Sequence, residues 1–276
     1  MVDIAKINYS QFDRPEILMN LFHPRPEWGT RMNTADSDHL IPVEDDIVVG
    51  ACFHTIDKSC PNILFFHGNG EIVSDYDEMA LLYNRININF LIVDYRGYGQ
   101  STGSPSVTHM MRDCHTIFEF TENWLGENNY TGPVVIMGRS LGSASALELS
   151  FNHPDRIGGL IIESGFAFEQ PLLELLGVNL EYIDFNEKEG FRHIEKIKKI
   201  DLPTLIIHAE KDHIIPFADG QALFDACRST RKNFIKIPDA NHNDIFMRGA
   251  SLYLDAVKTL VDQANKKAGA AAQTPR

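Results

Sequence analysis

Ser140 is the side chain whose surroundings most clearly favour chemistry. It sits in Gly138-Arg139-Ser140-Leu141-Gly142, after the apolar run Pro133 to Met137 and at the start of a helical pattern reaching Phe151. A serine in so sharp a strand-to-helix turn has strained backbone angles, and its Oγ stands above the sheet beside a helix N-terminus. Glycines on both sides leave room for neighbouring chain. Without that context the pentapeptide reads as an ordinary glycine-rich turn capped by serine.

A serine hydroxyl becomes a nucleophile when a base takes its proton and an acid orients the base. Two later loops offer these groups in order. Asp212 follows the run Pro203 to His208 in His208-Ala209-Glu210-Lys211-Asp212-His213, and His242 follows Asn233 to Ile237 in Asp239-Ala240-Asn241-His242-Asn243. That order is expected when reactive loops gather at the carboxyl ends of parallel strands. His67, His208 and His213 also lie near strand ends, but His67 precedes the serine and the other two flank the acid. Glu210 and Glu163 are rivals for the acid. Asp212 is favoured because a turn after the strand lets its carboxylate reach back to the histidine Nδ1.

Acyl transfer also builds negative charge on the substrate carbonyl oxygen, which calls for two backbone N–H groups. Leu141, directly after the serine, offers one. The loop His67-Gly68-Asn69-Gly70 offers the other, with Asn69 as donor and His67 holding the loop; the alternative is a turn that uses its glycines only for positive φ. Asp94 to Gly103 carries three glycines but neither GxxxxGK[ST] nor GxGxxG, so it reads as a tight loop against the serine turn. No HExxH spacing accompanies the polar residues at 208–213, and the expected chemistry involves no metal and no cofactor.

These loops need a scaffold. His39 to Glu44 and Ile47 to His54 form an expected antiparallel hairpin around Glu44-Asp45-Asp46. Short apolar strands then alternate with amphipathic helices: Asn62 to Phe66, Ser74 to Asn84, Asn89 to Asp94, Ser106 to Asn123, Pro133 to Met137, Ser140 to Phe151 and Gly159 to Ile162. Runs such as Ile63-Leu64-Phe65-Phe66 are apolar on both faces, as strands covered by helices on each side must be. The alternation stops over 165–201 and resumes with Pro203 to His208, a helix from Ala218 to Cys227, Asn233 to Ile237 and a last helix from Asp244 to Asn265. The fold class is α/β: a doubly wound, mostly parallel sheet with an antiparallel N-terminal hairpin and a small helical cap insertion. One domain spans 1–276, with an N-terminal arm at 1–37 of weak regular structure, the cap at 165–201 and a frayed tail at 266–276. Phe166, Phe168, Leu172 and Leu176 of the insertion would bind an apolar acyl group of short to medium length, or else pack onto the sheet.

Composition agrees with a globular protein. The 276 residues are 43% hydrophobic and 23% charged, with a net charge of −13. A field of that sign repels phosphate backbones, so no nucleic-acid partner is expected. Cys52, Cys60, Cys114 and Cys227 contain no CxxC pair and read as reduced thiols. No stretch approaches the roughly 18 apolar residues of a membrane span, and no signal-peptide pattern opens the chain; a cytoplasmic protein is expected, its oligomeric state open.

With HGNG, DYRGYGxS, GRSLG, the acid in HAEKD and the final NHND in this order, the chain resembles an α/β-hydrolase-fold serine hydrolase over residues 38–265. GRSLGSASALE, PTLIIHAEKDHIIPFADGQALF and the ending Asp239 to Asp244 are similar to the branch of α/β-hydrolase-domain depalmitoylating thioesterases and their bacterial relatives. The resemblance implies hydrolysis of a small acyl ester or thioester through an acyl-enzyme. Ser140 would be nucleophile, His242 base, Asp212 acid, and Asn69 and Leu141 the oxyanion hole. The chain departs from the depalmitoylases in having no cysteine between Met1 and Gly50, so no stable membrane anchor is expected. It also departs in the residue before His242, Asn241, where glycine is more usual. A serine peptidase of the same fold and a catalytically silent binding protein are the alternatives.

Overall fold

A computed structural model describes residues 2–27, 37–181, 185–186 and 189–272, with side chains through residue 265. Parts of the expected arm (28–36), insertion (182–184 and 187–188) and tail (273–276) lie outside the described residues.

In chain order the elements are α1 (Pro15–Leu21), β1 (Asp38–Glu44), β2 (Ile47–His54), β3 (Asn62–Phe66), α2 (Asp77–Arg85), β4 (Asn89–Val93), α3 (Val107–Glu127), β5 (Val134–Arg139), α4 (Ser143–Asn152), β6 (Gly159–Glu163), α5 (Glu169–Leu175), α6 (His193–Ile197), β7 (Thr204–Ala209), α7 (Phe217–Ala226), β8 (Lys232–Ile237) and α8 (Ile245–Ala272). The strands form one eight-stranded sheet in the order β1-β2-β4-β3-β5-β6-β7-β8. β1 and β2 pair antiparallel, β2 meets β4 antiparallel, and every later pairing is parallel. Hairpin and doubly wound sheet are as expected.

Strand alternation explains the layers. Leu64, Phe66, Leu91, Ile136 and Ile206 join one buried cluster with residues of α1, α3, α4 and α7. Their neighbours Ile63, Phe65, Ile92, Val135 and Ile207 join a second cluster with residues of α2 and α8 on the other face. Successive side chains of a strand point to opposite faces, so a central strand must be apolar throughout. Each fully buried side chain of this size contributes about 1.5–3 kcal/mol. Ser106 caps α3 by accepting the His109 N–H at 3.1 Å.

The arm is more ordered than its prolines suggest. Pro15 occupies the first turn of α1, where the missing N–H costs nothing, and Phe12 and Ile17 are fully buried. α8 runs past the expected Asn265 to Ala272, with a kink at Gly249. No helix among the described residues is long and apolar enough to cross a membrane. Cys52, Cys114 and Cys227 are buried, Cys60 is half-buried, and none is in a disulfide.

Candidate active site

β5 ends at Arg139, and Ser140 opens a tight 3-10 turn leading into α4. Its φ is 52°, in the left-handed region that costs a non-glycine residue about 1–3 kcal/mol. The turn is held from below, where Ser143 Oγ donates to the Ser140 carbonyl at 2.6 Å. The glycines are needed for close approach. A Cβ on Gly138 would lie 2.2 Å from the Gly142 carbonyl oxygen, and one on Gly142 would lie 2.1 Å from the Phe66 carbonyl oxygen. The latter contact seats the serine turn directly against the start of the 67–70 loop.

His242 Nε2 lies 3.0 Å from Ser140 Oγ, and His242 Nδ1 lies 2.8 Å from Asp212 Oδ2. A carboxylate only accepts, so Nδ1 carries the proton and Nε2 is free to accept the serine O–H. Asp212 Oδ1 accepts the Ile214 and Ile215 N–H groups at 3.0 and 2.9 Å. Burial alone would raise the Asp212 pKa. The hydrogen bond and charge of His242, with those two N–H groups, outweigh it and leave the carboxyl below its ordinary range. The rival acids are occupied elsewhere: Glu210 accepts from Lys236 Nζ at 2.6 Å, and Glu163 pairs with Arg139 at 3.2 Å. In the histidine loop Asp239 takes the left-handed conformation, with φ of 58°, so Asn241 meets no demand that glycine would serve better.

The 67–70 loop is tied on three sides. His67 donates from Nε2 to Asp94 Oδ1 at 3.1 Å and from Nδ1 to the Gly68 carbonyl at 2.8 Å. Burial works against a charged ring, but these acceptors raise the His67 pKa overall. The Asn69 side chain accepts from the His23 N–H at 2.8 Å and from Tyr98 Oη at 2.7 Å. His23 belongs to the N-terminal arm, so the arm braces the loop. Leu141 is buried beside Ser140 in the same 3-10 turn.

Phe166, Phe168 and Leu172 line a cavity of about 180 Å³ with Leu175, Ile214 and Ile215, the last two adjoining Asp212 through its hydrogen bonds. Leu176 does not line it; it packs, half-buried, against the core. Phe166 is itself almost fully buried, its ring against Phe191 and His193, whereas Phe168 is 43% exposed.

Sequence reasoning missed what several polar residues do here. Asp219 of α7 accepts the Ala167 N–H at 2.8 Å and so fixes where the insertion leaves the sheet. Arg139, Glu71 and Glu163 form a buried ion cluster beneath the serine turn. Among the described residues the His, Cys, Asp and Glu side chains that could together hold a metal ion are Cys52, His54 and Asp77, with ligand atoms within 4.8 Å of one another. None of Ser140, Asp212 and His242 belongs to that group.

Comparisons with known proteins agree with this architecture. Residues 57–180 match a family model described as serine aminopeptidase, S33. The chain is 34% identical over 194 residues to protein bem46 of Schizosaccharomyces pombe, covering 68% of this chain and 63% of that protein. It is 30% identical over 221 residues to alpha/beta hydrolase domain-containing protein 17B of Xenopus laevis, covering 75% of this chain and 69% of the other. A solved structure of Est1E from Butyrivibrio proteoclasticus, bound to ferulic acid, superposes with a TM-score of 0.67 at 18% identity, over 82% of this chain and 98% of that one. The strand order, the serine turn and a 30% identical relative matched over more than two thirds of its length lead to one assignment: the chain belongs to the alpha/beta-hydrolase family, in the branch that includes the alpha/beta hydrolase domain-containing proteins.

Proposed function

We propose that the protein is a serine hydrolase that cleaves a small carboxylic ester or thioester through an acyl-enzyme. The observation that carries this reading is the continuous relay from Ser140 Oγ to His242 Nε2 at 3.0 Å and from His242 Nδ1 to Asp212 Oδ2 at 2.8 Å. Ser140 Oγ attacks the acyl carbon while its proton passes to His242 Nε2, and Asp212 steadies the imidazolium that forms. The oxyanion is received by the N–H groups of Asn69 and Leu141, which lie on two segments in mutual contact. As the C–O or C–S bond breaks, His242 returns the proton to the departing alcohol or thiol. Water, deprotonated by the same histidine, then releases the acid and frees Ser140.

The cavity lined by Phe166, Phe168 and Leu172 supports an apolar acyl group of short to medium length. The reading places the enzyme in the cytoplasm, with no cofactor. Its test is a series of p-nitrophenyl esters from acetate to laurate with matching acyl thioesters. Turnover should peak at short or medium chains and fall about 10⁴-fold or more in Ser140→Ala. Buffer-level rates throughout would reject it.

The match of residues 57–180 to the serine aminopeptidase family favours a second reading, a peptidase using the same serine. Aminoacyl p-nitroanilides in the same series distinguish the two, because the ester and thioester reading expects them to be poor substrates.

A further inference from the structure

We propose that Arg139 is a positioning residue that locks the oxyanion loop and the histidine loop to the serine turn, acting through Glu71 and the His242 carbonyl; this rests on the hydrolase reading of the same site. Arg139 is the last residue of β5 and aligns with Glu163, the last residue of β6. Its guanidinium is buried and reaches three segments at once. Nε donates to Glu71 Oε1 at 2.9 Å, Nη1 to Glu163 Oε1 at 3.2 Å, and Nη2 to the His242 carbonyl at 3.0 Å. Glu71 relays the first contact, since its Oε2 accepts the Gly68 N–H at 2.6 Å and Tyr76 Oη at 2.5 Å. Glu163 is braced by Tyr253 Oη of α8.

The cluster is costly and specific. Replacing a buried ion group by apolar side chains of similar volume is often neutral or stabilising, so fold stability alone does not call for an arginine here. A guanidinium offers its donors in a rigid planar fork, and three acceptors from three segments are thereby held at fixed mutual positions. Two of the three contacts end on parts the reaction uses: the loop that carries Asn69 and the residue that carries the base. Burial works against the Glu71 carboxylate, but the Arg139 charge and Tyr76 more than offset it and keep the group ionised. Glu163, by contrast, is held above its ordinary range by burial. Glu71 is therefore the ionised arm that links Arg139 to the Gly68 N–H.

A displacement of about 1 Å in a reacting group costs on the order of 10²-fold in rate, which sets the expected scale. Four variants of the full chain are compared with wild type: Arg139→Met, Arg139→Lys, Glu71→Gln and the double variant Arg139→Met/Glu71→Gln. kcat and KM are measured on the best ester or thioester, with the rate of Ser140 phosphonylation and the melting temperature. Arg139→Met should lower kcat and the phosphonylation rate about 10²-fold while KM stays within about threefold. Arg139→Lys should recover part of the loss, having the charge without the fork. Glu71→Gln, which keeps an acceptor for Gly68 but turns a donor toward Arg139, should cost about 10-fold, and the double variant should be no worse than Arg139→Met. If Arg139→Met does not fold, Arg139→Lys and Glu71→Gln decide alone. Wild-type kcat in folded single variants, a loss confined to KM, or additive losses in the double variant would overturn the proposal while leaving the hydrolase reading intact. A wild type that neither turns over nor is phosphonylated at Ser140 overturns that reading, and the proposal with it.

Discussion

Ser140, His242 and Asp212 are the residues on which the proposed chemistry rests. Each occupies a loop just beyond a strand end, and the relay through them closes at hydrogen-bond distance. Asp212→Asn tests the acid directly. The amide oxygen can still accept the Ile214 and Ile215 N–H groups, but its NH₂ would face His242 Nδ1 and force the wrong tautomer. Activity should fall about 10⁴-fold with little change in KM or melting temperature; a loss below about tenfold would move the acid's role elsewhere. These three residues were legible because chain order and strand ends constrain them. Arg139 and Glu71 were not, since a charged residue beside a serine or after a glycine loop reads as solvated. Only the register that aligns Arg139 with Glu163, with Tyr76 and Tyr253 packed around them, buries the cluster. The Asn69 contact with His23 was hidden for a similar reason, as 46 residues separate the partners.

At the scale of elements, the sheet was legible almost residue by residue, because strands covered on both faces must be apolar throughout. Helix ends were less so. α8 overruns its expected end, and the arm hides a helix behind its prolines, because a proline in the first turn starts a helix as readily as proline elsewhere breaks one. The turn between β5 and α4 is the element on which the site depends. Gly142→Ala should destabilise the protein by about 3 kcal/mol, read as a drop in the urea midpoint, because the new methyl would press on the Phe66 backbone, which cannot move without shifting β3. A fully stable, active Gly142→Ala protein would mean that turn and loop are looser than described. α5 carries a different prediction. Leu172→Phe should shrink the cavity beside Asp212 and lower the ratio of kcat/KM for octanoate over acetate about 10-fold; an unchanged ratio would show that the acyl group lies elsewhere.

At the scale of the whole molecule, acid should loosen the fold through histidines buried in neutral form. Burial, aided by the Lys196 charge, pushes His193 from 6.5 down to about 3, and burial with neighbouring His115 pushes His153 down to about 4. Both groups take up protons in the unfolded chain before they do in the folded one. Their contribution to stability is therefore intact above pH 6.5 and is lost progressively as pH falls toward 3–4. His193 Nδ1 donates to the Phe166 carbonyl at 2.7 Å, so the loss begins where the insertion meets the core. His193→Gln should be less stable than wild type at pH 7.5 yet lose less melting temperature on acidification to pH 4.5; equal losses would clear His193 of that role. The net charge of −13 acts at this scale too, disfavouring polyanions without choosing a substrate. The central claim is that this family member uses Ser140 as a nucleophile. Intact-mass analysis after incubation with a fluorophosphonate tests it most directly: wild type should gain one phosphonyl adduct, mapped to the peptide containing Ser140, and Ser140→Ala should gain none. Equal labelling of the two proteins, or an adduct on another residue, would contradict it.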